Sequence, residues 1–296
     1  MLLIYEIPTG SRPSSIATGP QVVFHSAALK HVPMMEMHPS EAVKNNVMGT
    51  RIVARCATKH NVERFILIST DKAVQPASIM GATKRASELL MKSLNGQHGT
   101  LFSAVRFGNV LGSRGSVVPV FQKQIEDGGP VLVTHPDIER YFMTIEEAAQ
   151  LVIQAGAFAR GGDVFILDMG EPVRIIDLAG QMVRLLGGGK DIEIRVTGLR
   201  PGEKLHETLV FKVEDLLPTP HPKISRVVHD YELPQDFYEQ VEALIEASVR
   251  DDGDKIRVLL TGLLPSYQPN GIIDEQALGK LGEKPELKLV TENPTL

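Results

Sequence analysis

The densest run of reactive side chains is FILISTDKAVQPASIMGATKR, from Phe65 to Arg85. Its apolar opening, FILIS, predicts a buried parallel strand, so Ser69, Thr70, Asp71 and Lys72 leave the carboxyl end, where open α/β sheets place their ligands. The loop passes Pro76 and Ser78, and the helix after it carries Met80 and Lys84 four residues apart on one face. Hydroxyl, carboxyl and amine groups can therefore converge from two elements. The same spacing also suits a solvated Asp–Lys pair on a βα loop with a surface lysine beyond it.

Other chemistries leave weaker traces. A dinucleotide or P-loop phosphate cradle needs a Gly-rich strand-to-helix turn whose N–H groups meet the pyrophosphate, and neither spacing occurs. Gly187-Gly188-Gly189-Lys190 runs into Asp191 and follows a helical stretch, which predicts a helix C-cap and turn. Gly112-Ser113-Arg114-Gly115-Ser116 opens a helix and fits either a loop admitting a substrate phosphate or a plain turn. His31, Glu36 and His38 lack the i, i+4 pairing of a helical zinc site, and Pro33 and Pro39 are expected to break any helix between them, so no metal site is expected. His25, ending the VVF stretch, reads equally as a core histidine or a ligand contact.

The elements that must hold these groups alternate. Short β-branched runs (VVF, FILIS, FSAVRF, VLVT, VFILDM, IEIRV) are separated by helical periods at about 40–60, 80–94, from 116, from 144 and up to 186, which predicts βαβ units and a mostly parallel sheet. Thr144 with Glu147 reads as a capping box before the apolar stripe Ala148, Leu151, Val152 and Ala155. In the 40–60 helix, Val43, Val47, Ile52, Val53 and Cys56 are expected on one core face. Beyond Pro234, two amphipathic helices are expected, on Phe237, Val241, Leu244 and Ile245, then Ile256, Leu259 and Leu260. Residues 1–19 read as an irregular lead-in with at most a short MLLIY strand, 231–266 as C-terminal helices, and 267–296 as a disordered tail.

Composition bounds the class. The 296 residues carry 31 Lys and Arg against 36 Asp and Glu, a net charge of −5 that argues against a nucleic-acid coat. A single cysteine, Cys56, excludes a disulfide framework and a Cys-based zinc site. No apolar run approaches membrane-span length, and the N-terminus lacks the pattern of a secretory signal, so a cytoplasmic protein is expected.

From about Pro20 to Ile224 the chain resembles the CapD-type polysaccharide biosynthesis proteins, nucleotide-sugar 4,6-dehydratases of the extended short-chain dehydrogenase/reductase superfamily. The motifs that carry the resemblance are FHSAALKHVPMME, NNVMGT, ISTDKAVQPASIMGATKRASE, VRFGNVLGSRGSVVP, THPDIERYFMTIEEAAQL, FILDMGEPVRIIDLA and TGLRPGEKLHE. The resemblance implies an α/β fold, an incomplete Rossmann-type parallel sheet lacking its first βαβαβ half, with a small C-terminal substrate domain. Residues 20–230 would form the truncated NAD(P)-binding core, interleaved with nucleotide-sugar-binding segments. Such a half takes roughly 60–80 residues at about 30 per βαβ unit, and 19 stand here. The chain is therefore expected to be a truncated dehydratase, or one that keeps the sugar site without the cofactor cradle. In either case it is expected to be inactive alone, to bind NADP or NAD undetectably, and to form a homo-oligomer through its bared edge.

For the site, the resemblance implies UDP-N-acetylglucosamine as substrate, Asp71 as the acid that protonates the leaving 6-hydroxyl, and Lys72 as the base that takes the C5 proton. A base role needs Lys72 brought down from its free pKa of about 10.4. Lys84 matches the lysine of the family's Tyr-x-x-x-Lys motif, which holds the nicotinamide ribose. Met80 stands where many relatives have the tyrosine, so the C4 hydroxyl must lose its proton through Thr70 or water. Ala27, Ala28 and Asn46 match cofactor-lining positions. Lys30 and His31 match the sugar-side loop, and Asn109, Ser113, Arg140, Arg200 and Glu203 match motifs that hold the UDP. The rival readings are a nucleotide-sugar 4-epimerase, which has no use for the Asp71–Lys72 pair, and a non-catalytic nucleotide-sugar-binding partner protein.

Overall fold

The computed structural model describes residues 19–96, 99–113, 115–211, 214–228 and 233–269; the expectations for the lead-in before residue 19 and the tail after 269 lie outside these residues, while the disordered tail expected from 267 is corrected at its start, where Tyr267 is buried and the Gln268 N–H bonds to the Pro76 carbonyl. The described chain opens with β1 (Val22–His25), α1 (Val32–Met37), α2 (Pro39–Ala42) and α3 (Thr50–Lys59), the last two joined by a π-helical stretch at Val43–Gly49. β2 (Arg64–Ile68) passes through a 3-10 turn at Asp71–Ala73 into α4 (Ile79–Leu94). β3 (Leu101–Arg106) and β4 (Asn109–Val110) precede α5 (Val117–Glu126), β5 (Val131–Val133), β6 (Glu139–Arg140) and β7 (Phe142–Met143). Next come α6 (Ile145–Phe158), β8 (Val164–Leu167), β9 (Val173–Arg174), α7 (Ile175–Leu186) and β10 (Ile194–Val196). β11 (Asp215–Pro218), β12 (Ile224–Val228), α8 (Phe237–Val249) and α9 (Gly253–Leu263) follow.

Six strands form the main sheet in the order β1-β2-β3-β8-β12-β11. The first four are parallel, and β12 and β11 continue it antiparallel. Phe65, Ile66 and Leu67 of β2 are fully buried, as a parallel strand covered on both faces requires. One face packs on α4, the α2–α3 segment, α8 and α9 through Ala86, Leu90, Val43, Leu244 and Leu260. The other meets the α6 stripe Ala148, Leu151, Val152 and Ala155. A smaller core, with Phe121, Val131, Ile175 and Met182, joins α5, β5, α7 and β10 into a lobe interleaved in sequence with the sheet.

Three local expectations are corrected. Val43 and Val47 are buried, but Ile52 is 51% exposed and Cys56 faces solvent. The π-helical stretch inserts an extra residue per turn and rotates the following face, so Thr50, Ala54 and Ala57 point inward instead. Pro33 does not break a helix but stands in the first turn of α1, where its missing N–H costs nothing, whereas Pro39 does end one: α1 stops before the non-helical His38 (φ −128°) and Pro39 opens α2. Thr144 does cap α6, accepting from the Glu147 N–H at 3.1 Å, but the Glu147 carboxylate pairs with Lys223 rather than closing the box.

Candidate active site

The carboxyl ends of β1, β2 and β3 face the smaller lobe across a cavity of about 470 Å³. β2 delivers Ser69, Thr70 and Lys72 to its wall, α4 adds Met80 and Lys84, and α5 with β5 supplies an apolar slot that includes Val117, Phe121 and Leu132. Placement at the carboxyl end follows from the strand: once Ile68 leaves the sheet, the next backbone donors, Ser69 and Asp71 N–H, bond to Val105 and Phe107 carbonyls and hold the turn.

Asp71 is fully buried, and one of its oxygens collects three donors: the Thr70 hydroxyl at 2.7 Å, the Lys72 N–H at 2.9 Å and the Lys72 ammonium at 2.9 Å. Its other oxygen, Oδ2, has no partner among the described residues. Asp71 itself is not on the cavity wall, whereas its partners Thr70 and Lys72 are. Burial pulls the Lys72 amine down, but the Asp71 and Glu207 carboxylates outweigh it and hold Lys72 above its ordinary value. The resting pair is thus an ion pair, opposite to the lowered amine that a free base requires.

Lys84 carries the lowered amine. It is 4% exposed, lines the cavity, and makes no hydrogen bond or ion pair with another described residue. Burial brings it down to about 8, partly offset by Glu88 one turn on. His25 is a core histidine: it is 1% exposed, with Nε2 3.0 Å from the Thr50 hydroxyl, and burial and Lys84 bring it down to about 4. Ala28 lines the cavity; Ala27 and Asn46 do not. Asn46 instead bridges the Leu29 N–H (2.8 Å) and C=O (3.1 Å) to Thr83 (3.0 Å), so it shapes the wall without facing it.

On the far wall stand Lys30, His31, Asn109, Ser113, Arg140, Arg200 and Glu203. Lys30 donates to Ser113 at 3.2 Å, and Lys72 to Asn109 at 3.4 Å. The two predicted arginines differ. Arg140 is committed to the protein, donating to the carbonyls of Glu139 (2.7 Å), Lys204 (2.9 Å) and Leu205 (3.1 Å). Arg200 engages Glu203 through its backbone alone, donating its N–H to the carboxylate at 3.2 Å and accepting the Glu203 N–H at 3.0 Å, and its guanidinium makes no hydrogen bond or ion pair among the described residues.

Two features escape the sequence. Glu207 is a buried carboxylate near the pair, with Oε2 3.9 Å from Lys204 and Oε1 4.0 Å from Arg140; burial pushes it up and its Oε2 accepts no hydrogen bond among the described residues. It lies inside TGLRPGEKLHE, but nothing in the spacing marks it as inward. Behind the wall, Glu88 binds Ser69 (2.5 Å), Arg85 (2.8 Å) and Arg106 (2.9 Å), and Arg106 binds Glu214 (2.8 Å). Burial opposes the charge on Glu88, but Arg106 and Arg85 bring its carboxyl down to about 2.

Residues 3–229 match the family described as "Polysaccharide biosynthesis protein". The chain belongs to that family. Family relatives include the probable polysaccharide biosynthesis protein EpsC of Bacillus subtilis, 54% identical over 78% of this chain and 39% of its own length. The capsular polysaccharide biosynthesis protein CapD of Staphylococcus aureus is 54% identical over 76% and 38%. A UDP-glucose 4-epimerase of Rickettsia canadensis is 38% identical over 67% and 60%. This family member therefore spans about two fifths of the length of EpsC and CapD. Among solved structures, Pen from Bacillus thuringiensis superposes with a TM-score of 0.67 at 37% identity, over 71% of this chain and 66% of that one. The dTDP-glucose 4,6-dehydratase DesIV of Streptomyces venezuelae, with NAD and TYD bound, shares the fold (TM-score 0.58, 21% identity, 64% and 65% covered). The α/β, mostly parallel Rossmann-type fold is that of these nucleotide-sugar dehydratases and epimerases. The nicotinamide end of such a cofactor fits the residues present: the unpartnered Lys84 amine aims at the cavity beside the small Ser26 and Ala28.

Proposed function

We propose that the protein acts as a UDP-N-acetylglucosamine 4,6-dehydratase of polysaccharide biosynthesis. The observation that carries the reading is the Asp71–Lys72 pair, held at 2.9 Å at the carboxyl end of β2 and joined to the cavity through Thr70 and Lys72. A C4 epimerisation needs no such pair, whereas elimination of water across C5 and C6 needs a base and an acid on one side of the sugar.

Lys84, with Ser26 and Ala28, would hold the nicotinamide ribose. Bound NADP or NAD would supply the acceptor for the C4 hydride and its return to C6 once water has left. The 4-keto group acidifies C5–H, Lys72 takes that proton and gives one back to C5 when the hydride reaches C6, and Asp71 protonates the departing 6-hydroxyl through Thr70, 2.7 Å away. The resting ion pair is compatible with these roles. Lys72-NH3+ with Asp71-COO− holds the same number of protons as Lys72-NH2 with Asp71-COOH, so one transfer along a 2.9 Å bond gives the competent form. Met80 exchanges no proton, which leaves Thr70 as the hydroxyl nearest the pair for C4–OH. Arg200, with its free guanidinium, suits the diphosphate, and the apolar slot suits the base.

The test is product analysis with UDP-N-acetylglucosamine and either cofactor, on the chain joined to a complete N-terminal Rossmann half, since the chain alone is expected to be inactive. The expected product is a UDP-linked 4-keto-6-deoxy sugar, lost in Asp71→Asn and Lys72→Ala. An unaltered 6-hydroxyl with inversion at C4 would establish the epimerase instead.

A further inference from the structure

Residues beyond 229 lie outside the matched family segment, yet α8 and α9 bury Phe237, Val241, Leu244, Ile256 and Leu260 in the core that carries α4. A polar contact from α9 reaches Glu36, at the end of α1. One Glu36 oxygen accepts the Ile79 N–H, the first donor of α4, at 2.6 Å. The other accepts from Arg257 of α9 at 3.1 Å, and Arg257 also donates to the Glu36 carbonyl at 2.6 Å. The partners are 221 positions apart. Just beyond α9, the Gln268 N–H bonds to the Pro76 carbonyl at 2.9 Å. The turn holding Arg200 closes on the same point: at Gly202 (φ +74°) an added Cβ would lie 2.8 Å from Ser78 Cβ and 3.3 Å from the Glu36 carboxylate. Lys204 holds the Val74 carbonyl at 2.9 Å.

We propose that α9 and the turn after it position the Thr70–Met80 loop, with Arg257 acting through Glu36 on the start of α4 and Gln268 acting on Pro76. The physical basis is the helix end. The first N–H groups of α4 have no helical acceptor and carry the positive end of its dipole, so a carboxylate supplied from outside fixes where the helix begins. Glu36 can hold that place only while its second oxygen is oriented, and Arg257 orients it with one bond to that oxygen and a second to the Glu36 backbone carbonyl. Arg257 is thus a positioning residue, remote from the reacting atoms. The loop's importance for turnover rests on the dehydratase reading; the mechanical link does not.

The experiment is deuterium exchange on the full chain, comparing the parent with Arg257→Ala and Arg257→Lys and following residues 73–81 against β2 and β3 as internal controls. Arg257→Ala is expected to raise uptake in residues 73–81 about tenfold, with the controls unchanged and Arg257→Lys restoring most of the protection. Unchanged uptake in 73–81, a rise confined to α9, or a uniform rise including β2 and β3 would each overturn the link. Turnover of UDP-N-acetylglucosamine, measured on the same variants joined to a complete N-terminal Rossmann half, should fall in kcat and not in KM in the same order. If the exchange order holds and the joined parent produces no keto sugar, the link stands and the dehydratase assignment falls.

Discussion

Lys84 offers the sharpest test at the scale of one residue, because it is a buried cation without a hydrogen-bond or ion-pair partner among the described residues. Its pKa falls from 10.5 to about 8, so between those values the unfolded chain binds the proton and the folded one does not. Below pH 8 the folded state bears the whole penalty, and the penalty fades as pH rises toward 10.5. Lys84→Met should therefore be more stable than the parent at pH 7 by about 2–3 kcal/mol and lose that advantage as pH is raised; urea midpoints at pH 7 and pH 10 check both. The two arginines should separate in the same way. Arg200→Ala should weaken UDP binding by about 1.5–3 kcal/mol by calorimetry while leaving the melting temperature unchanged. Arg140→Ala should lower the melting temperature, since three carbonyls and the Glu203 and Glu207 carboxylates lose their donor. The motifs of the sequence brought together the cavity wall, with Asp71, Asn46 and Ala27 set behind it. They could not tell Arg140 from Arg200, because which arginine faces a ligand depends on backbone carbonyls from another turn.

Among the elements, the decisive contact is between α4 and the loop before it. At Gly81 an added Cβ would lie 2.2 Å from the Lys72 carbonyl oxygen, a backbone atom that cannot move without shifting the pair. Gly81→Ala should cost about 1–3 kcal/mol and displace the Lys72 signals in an NMR spectrum; a parental spectrum would show that the approach is looser than described. The strands and helices were legible from apolar period and caps, as at Thr144 and in the α6 stripe. The exception is instructive. Ile52 and Cys56 follow the expected period and still face solvent, because a π-helical stretch between Val43 and Gly49 resets the phase, and a period read across it carries the wrong face forward.

Across the whole molecule, a chain of net charge −5 lines one cavity with Lys30, Lys72, Lys84, Arg140 and Arg200. That concentration of cations between a sheet end and a smaller lobe focuses field lines on an anionic ligand against the overall charge; each cation lies in a motif the resemblance marks, Lys72 and Lys84 in one run, but only the fold brings them to one cavity. Among the described residues no helix is long and apolar enough to cross a membrane. That Asp71 and Lys72 serve an elimination is tested by running the reaction with UDP-N-acetylglucosamine in deuterium oxide, on the chain joined to a complete N-terminal Rossmann half, and mapping the label in the product by NMR. The expected product is a 4-keto-6-deoxy sugar carrying solvent deuterium at C5, with neither label nor product from Lys72→Ala. A C4-inverted sugar that keeps its 6-hydroxyl and has no deuterium at C5 would contradict it.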